Sequence, residues 1–349
     1  MMSARAHISA VATAVPAHVL DQTEVVERSR EIFAPDVPGF ERFTDAYRNA
    51  AIETRHSCVP IDWYAQEHPF SERNDLYIAH AIDLLSRVSQ ELFDQAGITA
   101  ADVDAIVVAS TTGVATPSLD ALLLERLTFR RDVQRLPVFG LGCAGGVSGL
   151  ARAAQMAMSQ PDACVLYLVV ELCGLTFRVN DTSKSNIIAT ALFGDGAAGA
   201  LLGCKQPGPA VMGWGEHTWE DSLDVMGWEV GDDGLGVLFS RDIPHLVRTR
   251  LRDPAYAFLE RHGLGPQDIA RHACHPGGAK VLDALEEVYG LPAGDLVFAR
   301  DILRRYGNMS AATAMFVLAE TMGEGVPGNW LMSAMGPGFT ASFALLEAS

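Results

Sequence analysis

Three residues of this 349-residue chain have the types and the neighbours of a thioester-handling centre: Cys143, His275 and Asn308. Cys143 stands in Gly142-Cys143-Ala144-Gly145-Gly146, after an apolar run and at the start of an Ala-rich helical stretch. A cysteine at a helix start meets the positive end of the peptide dipoles, which favours the nucleophilic thiolate. Its flanking glycines permit the tight turn that exposes the sulfur. Cys164 and Cys204, inside apolar runs, read instead as small buried hydrophobes. His275 precedes Pro276-Gly277-Gly278, where a bare backbone can approach a ligand, and Asn308 follows Gly307 as Cys143 follows Gly142. A metal reading of His272, Cys274 and His275 has the wrong spacing, because alternate residues of a strand point to opposite faces. A cysteine hydrolase uses the same three residue types and remains the other reading of the residues alone.

Elements must bring these residues together, and the chain repeats one kind of element pair. A strand over Ala105–Ser110 runs through Thr111-Thr112-Gly113 into a helix over Leu119–Leu127; Ala270–Cys274 runs through His275-Pro276-Gly277-Gly278 into a helix over Ala279–Tyr289. The strand end at Val138 leads past Cys143 into a helix ending near Gln160, and Tyr306-Gly307-Asn308 leads into one ending near Met322. Thr111 to Cys143 is 32 residues and His275 to Asn308 is 33, while Cys143 to Glu171 and Asn308 to Gly336 are both 28. Offsets so similar predict two copies of one βαβαβ unit in a layered α/β fold, at 1–205 and 206–349, with Gln206-Pro207-Gly208-Pro209 as the linker. Approximate two-fold symmetry then sets Cys143 and Asn308 face to face with His275 near both, a duplication foreign to the cysteine hydrolases. The run Cys164–Val170 reads as a strand buried on both faces, and the stretch holding Trp214, Trp219 and Trp228 reads as irregular.

Composition limits the remaining possibilities. An apolar fraction of 49 %, with 20 % charged residues, describes a globular chain rather than a disordered one. The net charge of −17 speaks against a nucleic-acid binder. Six cysteines are too sparse for a disulfide scaffold, and no secretory signal or apolar run of membrane-spanning length is visible, so the expected location is cytoplasmic.

With its motifs assembled, the chain resembles the type III polyketide synthases, the chalcone-synthase-like group of the thiolase superfamily, from about Ile8 to Leu346. The resemblance rests on Gly142-Cys143-Ala144-Gly145-Gly146, Ala191-Leu192-Phe193-Gly194-Asp195-Gly196, His275-Pro276-Gly277-Gly278, Gly307-Asn308-Met309-Ser310 and Gly336-Pro337-Gly338-Phe339-Thr340. It implies a five-layered αβαβα architecture of two thiolase-like halves. Cys143 is similar to the acylated nucleophile, paired as thiolate with an imidazolium at His275. With Asn308, His275 is similar to the pair that donates to the malonyl thioester oxygen, and Phe193 to the gatekeeping aromatic. Thr111, Cys173, Thr176, Trp228, Val237 and Ser310 fall where the family lines its cyclisation cavity. Arg48, Arg55, Gly277 and Gly278 are expected to meet CoA, while Asp195 and Gly338 are expected to hold turns.

Glu171–Arg178, Ser183–Thr190 and Asp224–Trp228 narrow the resemblance to bacterial alkylresorcinol and alkylpyrone synthases. The implied enzyme is a homodimeric acyltransferase, its Thr116-Pro117 at the dimer interface. It takes a medium- or long-chain starter from CoA or a carrier protein, extends it with malonyl-CoA and needs no cofactor or metal. The alternatives are a synthase of another product, such as a naphthalene or a chalcone-like compound, and a catalytically silent acyl-CoA binder of the same fold.

Overall fold

A computed structural model describes residues 5–160, 162–203 and 207–349. The first half comprises β1 (Ala6–Ala14), β2 (His18–Asp21), α1 (Gln22–Phe33), α2 (Glu41–Arg48), β3 (Thr54–Ser57), α3 (Phe70–Ala96) and β4 (Ala105–Ala109). It continues with α4 (Leu119–Leu123), β5 (Gln134–Val138), α5 (Gly145–Ser159), β6 (Val165–Leu172), α6 (Lys184–Leu192) and β7 (Asp195–Gly203). The second half begins with β8 (Ala210–Thr218), β9 (Met226–Gly231), β10 (Gly234–Phe239), α7 (Ile243–Arg250), α8 (Arg252–Arg261) and β11 (Ile269–Cys274). It ends with α9 (Ala279–Tyr289), α10 (Val297–Tyr306), α11 (Ala311–Glu324), β12 (Gly328–Gly336) and β13 (Thr340–Ala348). Cys204 and the expected boundary and linker start at 205 and 206 lie outside the described residues.

The two halves repeat one strand order. β5-β4-β6-β7-β1 lie side by side in the first, β11-β12-β13-β8 in the second, and β1 pairs with β8 to join them in a nine-stranded sheet. Directions repeat as well: β4–β6 and β11–β12 are parallel, whereas β6–β7, β12–β13, β1–β7 and β8–β13 are antiparallel. The thiolase-like duplication is therefore realised, with one departure. Where strand β5 precedes Cys143, helix α10 precedes Asn308, because Ala299, Ile302 and Leu303 bury at helical spacing and Arg304 and Arg305 suit a helix C-terminus.

Helices α5 and α11 pack on each other and touch strands of both halves, forming the middle layer. Their small residues permit this: a Cβ on Gly146 would lie 2.3 Å from the Ala311 carbonyl oxygen. Helix α3 covers the outside of the first half-sheet, burying Tyr77, Ala81, Leu84, Leu85, Val88 and Leu92 at helical spacing. Each of the buried leucines and the valine contributes about 1.5–3 kcal/mol. Gly97, in the left-handed conformation, ends that helix. On the outside of the second half-sheet, the Tyr289 ring of α9 packs on His272 of β11. Every residue of β6 is buried, as expected for a strand covered on both faces.

Two expectations fail locally. The helix from Leu119 stops at Leu123 rather than Leu127, and the chain turns so that Phe129 packs edge-on against Phe93 of α3. The tryptophan-rich stretch is mostly strand: Trp214 lies in β8, and Trp228 of β9 pairs with Val237 of β10. Its last three β9 residues are exposed in succession, so no alternation marks that ribbon in the sequence.

Candidate active site

Beyond edge strand β5 the chain turns sharply through Gly140 and Gly142, both at positive φ, into a short 3₁₀ turn, Gly142–Ala144, that carries Cys143. The backbone N–H of Gly142 donates to Thr111 Oγ1 at 3.1 Å, and a Cβ there would meet the Pro337 ring at 2.6 Å. Only glycine fits this corner, where both halves meet.

The Cys143 thiol lies 3.7 Å from Ser310 Oγ, a residue that itself holds the strained φ of 46°. Burial pushes the Cys143 thiol up to about 12, against the lowering effect of Ser310, and the nearby Glu171 carboxylate raises it further. Burial likewise holds the His275 imidazole down to about 3. Burial therefore opposes either charge alone, and a thiolate–imidazolium pair is favoured only where the two charges arise together. Desolvation of a whole charge outweighs a helix-terminus effect of about 0.3–1 kcal/mol. Neither His275 ring nitrogen has a hydrogen-bond partner among the described residues, while its backbone N–H donates to Ser333 O at 2.8 Å. A buried imidazole with both nitrogens uncommitted is ready to bond a reacting group.

Asn308 is fixed from both sides. Its backbone N–H donates to Leu192 O at 2.8 Å and its carbonyl accepts from Gly194 N–H at 3.0 Å, bracketing Phe193. Its amide nitrogen donates to Gly277 O at 3.3 Å, and its Oδ1 accepts from Ser310 N–H at 2.8 Å. Asn308, Ser310 and Cys143 thus form one connected group, with Gly277 tying the His-Pro-Gly-Gly loop to it. Under this group Glu171 accepts from Thr111 N–H at 3.0 Å, Thr112 Oγ1 at 2.9 Å and Ser310 Oγ at 3.4 Å. Burial outweighs those donors and raises its carboxyl to about 7. The one sequence signal for Glu171 in this role is an acidic residue at the end of an otherwise apolar strand.

One cavity adjoins the cysteine, and a second adjoins the first. The first, of about 440 Å³, is lined by Cys143, Cys173, Phe193, Trp228, Val237, Ser310 and Pro337, among others. The second, of about 700 Å³, shares Cys173, Phe193 and Val237 with the first, and adds Leu20, Val25, Ile32, Ile61, Thr176 and Phe177. Phe193 stands where the two meet. Trp228 is partly exposed and cavity-facing rather than core. Thr111, expected in the cavity wall, lines neither and instead locks the turn beneath Cys143.

The arginine expectations divide. Arg55 is 3 % exposed and donates to the carbonyls of Thr190, Ala191 and Phe193 and to Gln22. It holds the α6 terminus that presents Phe193, and its buried, committed guanidinium is not placed to meet a CoA phosphate. Arg48 is exposed and paired with Asp45. Asp195 accepts from Cys58 N–H and Gly174 N–H, the turn-holding role expected of it. His272 packs on Tyr289 and Cys274 Sγ accepts from Ser333 Oγ; no metal-holding group of His, Cys, Asp and Glu occurs among the described residues.

Comparison with known proteins agrees with this geometry. Residues 1–207 match the N-terminal domain, and residues 220–347 the C-terminal domain, of the chalcone and stilbene synthases. A 1,3,6,8-tetrahydroxynaphthalene synthase of Streptomyces peucetius subsp. caesius is 39 % identical, covering 97 % of this chain and 92 % of its own. An alpha-pyrone synthesis polyketide synthase-like protein of Mycobacterium tuberculosis is 27 % identical, covering 97 % and 90 %. The crystal structure of the 1,3,6,8-tetrahydroxynaphthalene synthase of Streptomyces coelicolor A3(2), a bacterial type III polyketide synthase, superposes with a TM-score of 0.94 at 27 % identity, covering 98 % of this chain and 99 % of that one.

Proposed function

The chain belongs to the chalcone and stilbene synthase family of type III polyketide synthases, acyltransferases that condense CoA thioesters without an additional cofactor, and from that premise we propose that it builds an alkylresorcinol or alkylpyrone on a medium- or long-chain acyl starter. The starter's carbonyl is attacked by Cys143 Sγ, its proton passes to His275, and CoA leaves as the thiol. Opposite charges arising together on sulfur and imidazole offset part of each other's desolvation, which neither could bear alone. Malonyl-CoA then loses carbon dioxide, and its enolate oxygen accepts from His275 and from the Asn308 amide. The enolate carbon attacks the Cys143 thioester, the carbon–sulfur bond breaks, and the extended chain returns for another round or closes.

One observation carries the reading: the apolar cavity of about 700 Å³ behind Phe193, which meets the Cys143 cavity at Cys173 and Val237. An aliphatic tail gains about 0.8 kcal/mol for each methylene buried there. The catalytically silent alternative has no use for an intact Cys143, His275 and Asn308. A second reading, a naphthalene-forming synthase, is favoured by the name of the 39 % identical relative. A tetrahydroxynaphthalene carries no alkyl tail. Mass spectrometry of products from malonyl-CoA alone and with a series of acyl-CoA starters therefore separates the two: products that keep the tail support the alkyl reading, and a tail-free product from malonyl-CoA alone overturns it.

Arg48, with Gly277 and Gly278, remains our proposed contact for CoA. The exposed Val114 and Phe139, with Thr116-Pro117 near edge strand β5, form our proposed homodimer face. No described helix is long and apolar enough to cross a membrane, and we place the enzyme in the cytoplasm. We keep the division at 205/206 as that between a half carrying the nucleophile and a half carrying His275 and Asn308.

A further inference from the structure

The apolar cavity behind Phe193 is walled by helix α1, helix α6 and the 3₁₀ turn Ile61–Ala65, and two of its lining residues are cations: Arg55, fully buried with its terminal nitrogens spent on backbone carbonyls and Gln22, and Arg28 of α1. The Arg28 side chain is 25 % exposed, which places it where the cavity meets the surface. Its terminal nitrogens are spoken for: one donates to Glu31 at 2.8 Å and the other to Asp62 at 2.5 Å, across to the 3₁₀ turn. Its Nε is different, being buried and without a hydrogen-bond partner among the described residues. The neighbouring lining residues Val25, Ile32 and Ile61 are aliphatic and can offer it none.

We infer that Arg28 is a specificity-determining residue that ends the alkyl channel and sets the longest starter the enzyme accepts. The inference rests on the acyl-starter reading above. A tail that stops short of Arg28 is enclosed by a mainly apolar wall, in which Leu20, Val25, Ile32, Ile61, Phe177 and Val237 stand. A longer tail presses methylenes against a guanidinium whose Nε is already unpaired, and it must strip the remaining water from the charge. Aliphatic burial favours each added methylene up to that point and opposes it beyond. The stop arises from the charge rather than from the tie to Asp62, and the two are separable by mutation.

The experiment measures kcat/KM for saturated acyl-CoA starters of six to twenty carbons with malonyl-CoA, in the wild type, Arg28→Met, Arg28→Lys and Asp62→Asn, each checked by a thermal melt. The quantity read is the ratio for the first starter that the wild type refuses over the best starter that it accepts. Arg28→Met, which keeps an unbranched side chain but removes its charge, raises that ratio at least tenfold, beyond what the shortened but still cationic Arg28→Lys allows. Arg28→Lys and Asp62→Asn, which keep the cation, leave it within threefold. An unchanged ratio in a folded Arg28→Met protein overturns the inference while leaving the acyl-starter reading standing. An equal rise in Asp62→Asn also overturns it, showing that the ion pair, not the charge, closes the channel. If the wild type accepts no acyl starter at all, the acyl-starter reading fails and the inference with it.

Discussion

At the scale of single residues, the chemistry is set by what burial does to charge. Burial opposes a charge on Cys143 or on His275 alone, so the thiol should alkylate slowly near neutral pH. Its rate with iodoacetamide is expected to keep climbing above pH 9; a plateau reached near pH 7 would mean that the ion pair pre-exists. Asn308 and His275 should divide their duties. Asn308→Ala is expected to accept a starter on Cys143 yet lose malonyl-CoA decarboxylation by roughly 100- to 1,000-fold, whereas His275→Ala impairs both steps; equal loading defects in the two variants would refute the division. Glu171 supplies a prediction about stability. Its carboxyl binds its proton more tightly when folded, at about 7 against 4.5, so its contribution is full below pH 4.5 and is lost as pH rises through 7. That loss is about 3 kcal/mol. Glu171→Gln should narrow the difference between urea midpoints at pH 5 and pH 8, though Asp195, raised to about 6, keeps part of the slope in the variant; an unchanged difference would show that Glu171 does not titrate in this range. Cys143, His275 and Asn308 are legible in the sequence because each sits in a short glycine-bearing motif. Arg55 misleads because a sequence does not tell a solvated arginine from one spent on three backbone carbonyls.

At the scale of elements, close approach decides what can be changed. Gly146→Ala places a methyl carbon against the Ala311 carbonyl, forcing α5 from α11 and with it Cys143 from Asn308. Overpacking of this kind costs about 1–3 kcal/mol, and a lowered melting temperature with reduced activity is the expected result; a fully active, equally stable protein would show that the two helices do not fix the site. The β9–β10 ribbon has the opposite character, being paired only with itself and carrying Trp228 on the wall of the Cys143 cavity. Trp228→Gly should therefore keep the fold and starter loading while shifting products from carbon-closed resorcinol towards oxygen-closed pyrone, since the indole wall helps to choose the folded conformer. Chromatography beside a thermal melt checks this, and an unaltered product ratio in a folded protein removes Trp228 from the mechanism. The helix–strand alternation was legible wherever apolar periodicity was strong, as at β6 and α9. The ribbon was not, because Glu229, Val230 and Gly231 are exposed in succession. Nor was the apolar cavity, whose walls come from β2, α1, α6, β10 and two 3₁₀ turns far apart in the chain.

At the scale of the molecule, duplication explains how one centre draws on both halves: equivalent turns after β5 and α10 deliver Cys143 and Asn308 to the neighbouring N-termini of the two helices of one middle layer. The spacing of the repeats made this legible before any geometry, although the substitution of α10 for a strand was hidden by the matching offsets. If the exposed rim at Phe139 joins two such molecules, Phe139→Asp should shift the protein from dimer towards monomer in light scattering; a wild-type monomer would contradict that face. The central claim, a synthase that carries its growing chain on one sulfur, is tested most directly by intact-mass spectrometry after incubation with an acyl-CoA. The wild type and Cys164→Ala should each gain the mass of one acyl group and Cys143→Ala should gain none; an acyl adduct that persists in folded Cys143→Ala would contradict the account.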